Sequence, residues 1–212
     1  NPELLDALAA DFASGGYDVK KLIRQITNSY AYGLQSEPVP GNAGDSQAFA
    51  RYYPRRLTAE VLLDAFSQVL EVPTVFSGGP GKLPLGTRAI ELPDENIPAS
   101  FLDVFGRPGR MSACECERVD APALTQALEL VNSAEIHRKL TAPEGYAARL
   151  AVDGRSHAER AADAFVKVLG RPARPEELEA AISFLSGESD QAEAYRSLLW
   201  SLLATNEFIF NH

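Results

Sequence analysis

Two cysteines, three histidines, one tryptophan and one methionine are all that 212 residues hold of the side chains richest in site chemistry. Two cysteines exclude a disulfide-dense scaffold. His137, His157 and His212 stand at no finger-like spacing from Cys114 and Cys116, which argues against zinc. The Cys-x-x-Cys-His run needed for covalent haem is absent, so the chain carries no cofactor motif of its own. Walker and dinucleotide fingerprints are missing, as is a Ser-His-Asp order. Basic residues number 20 against 29 acidic ones, a net charge of −9 spread over both halves, so no bulk basic face is offered to nucleic acid. No apolar run approaches the roughly 18 residues of a membrane span, and no signal peptide opens the chain. Starting at Asn1 without methionine, it reads as a piece of a longer protein.

What is present is globular: 45% hydrophobic and 23% charged residues, with a length that can bury about 70% of the unfolded surface. Strand signals are almost absent, and the reading is a single all-α domain over residues 1–212 with about eight helices. Asn1, Pro2 and Glu3 open the first, with Leu4, Leu5, Leu8 and Phe12 on one stripe and Gly15-Gly16 at its end. Asp18 caps a second, where Leu22, Ile23, Ile26 and Tyr30 are expected to form the buried face and Gly33 the stop. The short turn between them predicts an antiparallel pair. Residues 34–50, rich in Pro, Gly, Ser and Asn, read as a linker.

Thr58 is expected to cap a third helix with the stripe Val61, Leu62, Ala65, Phe66 and Val69. Residues 73–100 read as a long irregular loop, followed by a short helix at 99–105 and an aperiodic stretch at 107–118. Further helices are predicted from Asp120, from Ser133, near 144–152, from the Ser156/Glu159 capping box, from Pro175 and from Asp190. Phe208, Ile209 and Phe210 in the tail must pack or fray; Tyr52-Tyr53 and Trp200 are candidate platforms for sugar, but Trp200, in a strongly apolar helix, reads as core.

In order along the chain, Pro2-Glu3-Leu4-Leu5-Asp6 and Tyr17-Asp18-Val19-Lys20-Lys21-Leu22 come first, then Pro54-Arg55-Arg56-Leu57-Thr58-Ala59-Glu60. Phe105-Gly106-Arg107-Pro108 with Cys114-Glu115-Cys116-Glu117-Arg118 follows, then Gln126 to Asn132, Leu169-Gly170-Arg171-Pro172, and Asn206-Glu207-Phe208-Ile209. This series resembles the domain of unknown function 1553 family of bacteria, common in planctomycetes. The resemblance implies a C-terminal module of a large exported protein of the periplasm or cell surface. In such proteins a cytochrome c domain and the domain of unknown function 1549 are frequent neighbours. It therefore places any haem c in a neighbouring domain and makes those domains the expected partners. The sequence departs from the pattern at Tyr17, where Trp is usual, and at Gly33, where Arg is common.

Two arginine clusters are candidate ligand sites: Arg51, Arg55 and Arg56, and Arg107, Arg110 and Arg118. Forked guanidinium groups suit a carboxylate or sulfate, and suit internal pairing with loop carboxylates equally. Cys114 and Cys116 are redox or disulfide candidates, with two small buried hydrophobes as the alternative. In an extended segment they would share a face, and export would favour the oxidised form. Asp94, Glu95 and Asp103 are solvated loop acids unless space brings them together. The functional expectation is an interaction or docking domain, with an extracellular redox or polysaccharide-active enzyme centred on 105–118 as the alternative.

Overall fold

Helix ends decide most of the chain's organisation. The structure, a computed structural model, describes residues 1–45, 47–77, 83–93, 96–109 and 124–211. Among these the chain is mostly α-helical, with one two-stranded sheet, as the all-α reading predicts. Two compact units are present, Asn1–Arg55 and Arg56–Asn211, and each is described by itself.

In the first unit, helix α1 (Pro2–Ser14) starts where the Asn1 side chain accepts the Leu4 N–H at 3.1 Å. It ends in a paired closure: Gly16 at φ 74° donates to Ala13 O, and Tyr17 donates to Phe12 O at 2.9 Å. The Phe12 and Tyr17 rings meet edge-on at 5.5 Å and supply the apolar contact of that motif. Asp18 caps α2 (Val19–Thr27) through the Lys21 N–H, and the Lys21 ammonium pairs with Asp11 of α1 at 3.2 Å.

Helix α2 stops before the expected Gly33. The Thr27 hydroxyl turns back onto Ile23 O and the Ser29 hydroxyl onto Ile26 O, local bonds that compete with helix continuation. Tyr30 is consequently 89% exposed rather than on a buried face. Residues 35–52 are more than a linker. Tyr52 N–H closes on Gln35 O at 3.0 Å, making an Ω-like loop. Inside it the Asp45 carboxylate accepts the N–H groups of Gln47, Ala48 and Ala50 and the Tyr53 hydroxyl.

In the second unit, α3 (Ala59–Leu70) buries Ala59, Leu62, Leu63, Phe66, Val69 and Leu70. Val61 faces outward, and Thr58 stands at the cap position without a side-chain cap bond. Glu71 ends α3 in the left-handed region at φ 61°. The loop after it is tacked back onto α3: Asp64 accepts the N–H of Ala89 at 2.6 Å and of Ile90 at 3.2 Å, holding a single 3-10 turn. Helices α4 (Ser100–Val104), α5 (Leu124–Asn132), α6 (Ala134–Thr141) and α7 (Tyr146–Val152) follow. Then come α8 (His157–Leu169), α9 (Pro175–Gly187), α10 (Gln191–Leu203) and α11 (Asn206–Ile209).

The caps Ser133 and Ser156 with Glu159 form as read from sequence, and Asp190, read as the place where α10 begins, caps it. Gly145 opens α7 where a Cβ would lie 3.1 Å from the Val72 side chain and from Ala142 O, a tight approach that a larger residue would make only if those neighbours gave way by a few tenths of an ångström. The tail packs rather than frays. Phe208 and Ile209 are buried, the Phe208 ring lies 5.1 Å from Phe66, and Leu57 N–H donates to Ile209 O beside the pairing of β1 (Arg55–Arg56) with β2 (Phe210–Asn211).

Candidate functional site

The Phe-Gly-Arg-Pro motif is a helix ending. Phe105 is buried and stacks on Phe101 with centroids 4.5 Å apart. Gly106, at φ 83°, donates to Asp103 O, and Arg107 N–H reaches Leu102 O at 2.9 Å, the same paired closure that ends α1. The Arg107 side chain then folds back. Its Nη1 donates to Ile97 O at 3.0 Å and its Nη2 to Asp103 Oδ1 at 2.6 Å, leaving the side chain 7% exposed. Arg56 converges on the same place: its Nη2 donates to Phe105 O at 3.2 Å and its Cζ lies 5.3 Å from the Phe105 ring centroid. Arg56 and Arg107, from the two sequence clusters, therefore meet at the end of α4 and donate there to carbonyls and an acid.

Arg51 and Arg55 belong to the first unit, where Arg51 donates to Ser36 O and lies over the Tyr53 ring. Arg110, Arg118, Cys114 and Cys116 lie outside the described residues, as do Asp94 and Glu95.

The second Gly-Arg-Pro run behaves alike. Gly170, at φ 70°, ends α8, and Arg171 forks onto two carboxylates. It reaches Glu207 at 2.5 and 2.8 Å and Glu177 at 2.8 Å twice. Two of the motifs that carry the family resemblance thus meet as one ion-pair cluster tying α8, α9 and α11 together. The hydrogen bonds from Arg171 and the Arg174 N–H hold the Glu177 carboxyl down at about 2.

Sequence reasoning missed Lys139, which is 0% exposed. Its ammonium donates to Val72 O at 2.7 Å and Ser67 Oγ at 3.0 Å, and pairs with Glu135 at 3.0 Å. Burial lowers its pKa, and the Glu135 charge opposes that only in part. Burial pushes the Glu135 carboxyl up, but the Arg138 hydrogen bond and the Lys139 charge outweigh it and leave it below its usual value. Ser67 lines an open hollow of about 440 Å³ with Asp64, Thr74 and Arg88. The Ser67 hydroxyl accepts from Lys139 and donates to Leu63 O at 2.9 Å, so both of its hydrogen-bonding roles are taken up within the fold. A lysine beside Leu140 on an apolar arc, four residues after a glutamate, was the only local signal.

The first unit offers a different feature. None of its described residues is buried. Val19, Leu22, Ile23 and Ile26 fall on one arc of α2, yet Ile23 is 54% exposed, and Val19, Ile26, Leu4 and Leu5 are exposed too. The opposite arc of α2 carries Lys20, Lys21 and Arg24 and no acid. The face expected to be buried is therefore open.

Among the described residues, no group of three His, Cys, Asp or Glu is placed to hold a metal ion, and no helix is long and apolar enough to cross a membrane. No curated protein and no solved structure matches the chain. A family model described as PSD1, protein of unknown function (DUF1553), matches residues 1–185, and with that span covered the chain belongs to this family.

Proposed function

We propose that this chain is the interaction module of a larger exported bacterial protein and that its first unit docks on a neighbouring domain, a cytochrome c domain being the partner the family resemblance favours. The observation that supports this is the absence of any buried residue among the described residues of Asn1–Arg55. Ordering each residue costs about 1–2 kcal/mol, and burial of apolar surface at about 25 cal/mol per Å² is what normally offsets it. A helix pair with a clean apolar arc and no core has that offset still to come from a covering surface.

The test places a photo-crosslinking residue at Ile23 in the full-length parent. Adducts to a sister domain are expected. Adducts confined to residues 56–211 of the same chain, or none, would refute docking. In the binding assay that follows, Ile23→Asp should weaken the complex at least about tenfold, about 1.4 kcal/mol, with an unchanged far-UV spectrum.

A further inference from the structure

Helix α10 has two working faces. One is core, with Tyr195, Leu198, Leu199, Leu202 and Leu203 buried. The other carries Glu193, Arg196, Ser197 and Trp200, spaced i, i+3, i+4 and i+7 and so aligned in one stripe. Trp200 is 40% exposed, which corrects its reading as a core residue. Facing it, α6 presents His137, Leu140 and Thr141 at the same i, i+3, i+4 spacing. Two hollows of about 240 Å³ each open here, sharing His137, Leu140 and Trp200. The second runs on to Asn132 and Ser133 at the junction of α5 and α6.

The chemistry of this cleft narrows its ligand. Its floor is flat and apolar, made by the indole and Leu140. Its rim is polar. The Trp200 indole N–H, the His137 ring and the Asn132 amide have no hydrogen-bond partner among the described residues, so their donors and acceptors are open to a ligand. Glu193 and Arg196 neutralise one another at 2.9 Å, so neither an anion nor a cation finds an unpaired countercharge. A lipid chain would strand the polar rim without partners. A sugar ring meets every condition: it has a face of C–H groups to lie on an aromatic ring, and hydroxyls around its perimeter that both donate and accept. Each hollow is smaller than a drug-sized pocket of about 300–1,000 Å³, which suits one ring per hollow.

We propose that the cleft between α6 and α10 binds a neutral saccharide, with a pyranose ring stacked on Trp200 and its hydroxyls hydrogen-bonded by His137 and Asn132. This site is independent of the docking reading, since it lies wholly within the second unit.

Trp200 is the chain's one tryptophan, so tryptophan emission of the full chain reports this cleft alone. The chain is titrated with neutral oligosaccharides of glucose, xylose, galactose, mannose and N-acetylglucosamine, and in parallel with glycerol, benzoate and tetramethylammonium. A saturable emission change with at least one oligosaccharide, half-complete below about 10 mM, is expected, with protection of the indole from iodide. His137→Ala, at an exposed position that leaves the core intact, should weaken that binding about tenfold. No saturable change with any sugar would overturn the proposal. So would an equal response to glycerol or to a charged probe, or a His137→Ala variant that binds as the parent does.

Discussion

Glu135→Gln is expected to destabilise the second unit by about 2–3 kcal/mol, and the reasoning runs through Lys139. That ammonium is fully buried and has three acceptors, of which only the Glu135 carboxylate carries charge. Removing one partner of a buried pair costs about 3–5 kcal/mol, because a desolvated charge is left behind. The Glu135 side chain keeps 26% of its exposure, so water screens part of the pair and the lower figure applies.

Lys139→Met should cost less, about 1–2 kcal/mol. Ser67 retains Thr74, and Glu135 retains Arg138, leaving Val72 O as the acceptor that loses its partner. The double variant should then resemble Lys139→Met alone, a coupling of about 2–3 kcal/mol rather than a sum. Denaturant unfolding measures this through the midpoint at constant m, and the glutamine variant should melt about 4–10 °C lower.

The pH dependence follows from the sign of the shift. Glu135 is depressed in the fold, so its contribution is complete above its ordinary value of 4.5 and fades as pH falls through the depressed one. The glutamine variant should lose that part of the acid slope. An additive double variant, or a Glu135→Gln chain within about 0.5 kcal/mol of the parent, would refute the buried-pair account.

Two further outcomes can be checked. The hydrogen bonds from Ala48, Ala50 and Gln47 and from the Tyr53 hydroxyl hold the Asp45 carboxyl far below the usual range, so the loop should stay protected from amide exchange at pH 4; Asp45→Asn should speed exchange at those three amides while leaving α1 and α3 unchanged. Arg171→Lys, which cannot fork onto Glu177 and Glu207 together, should cost about 1–2 kcal/mol in denaturant unfolding. Because Glu177 is depressed to about 2, the parent should keep that stability down to acidic pH and lose it as pH falls through about 2.

Local signals were legible in the sequence because they act over three or four residues. Asn1, Asp18, Ser133 and the Ser156/Glu159 box cap the helices they were assigned to. What was hidden depends on distance or on competing patterns. Residues 34–50 looked like a linker because turn-forming composition says nothing about Asp45 finding Tyr53 eight residues on. The end of α2 was misjudged because apolar periodicity continues to Tyr30, whereas Thr27 and Ser29 bind their own backbone.

In α10 the run Leu198, Leu199, Trp200, Leu202 and Leu203 is apolar nearly all round, so periodicity could not say that the indole faces out. Lys139 drew no reading from the sequence, because lysine is a residue type almost never fully buried. At the candidate site, the helix-ending role of Gly106 was readable in principle from glycine before Arg-Pro. The convergence of Arg56 on the same carbonyl was not, since a contact 49 residues apart leaves no local trace.

The Arg171 cluster bears on where this protein can be cut. The family match stops at residue 185, but the folding unit does not. Arg171 lies inside the match and its partner Glu207 lies beyond it. So do the buried Tyr195, Leu198 and Leu199 of α10, the helix packed against α7, and Phe208, which meets Phe66 of α3. A fragment trimmed to the matched span would bare the inner face of α7 and leave Arg171 with half its acids. The boundary that sequence kinship draws is thus narrower than the one that cooperative folding draws, and an expression fragment should follow the second.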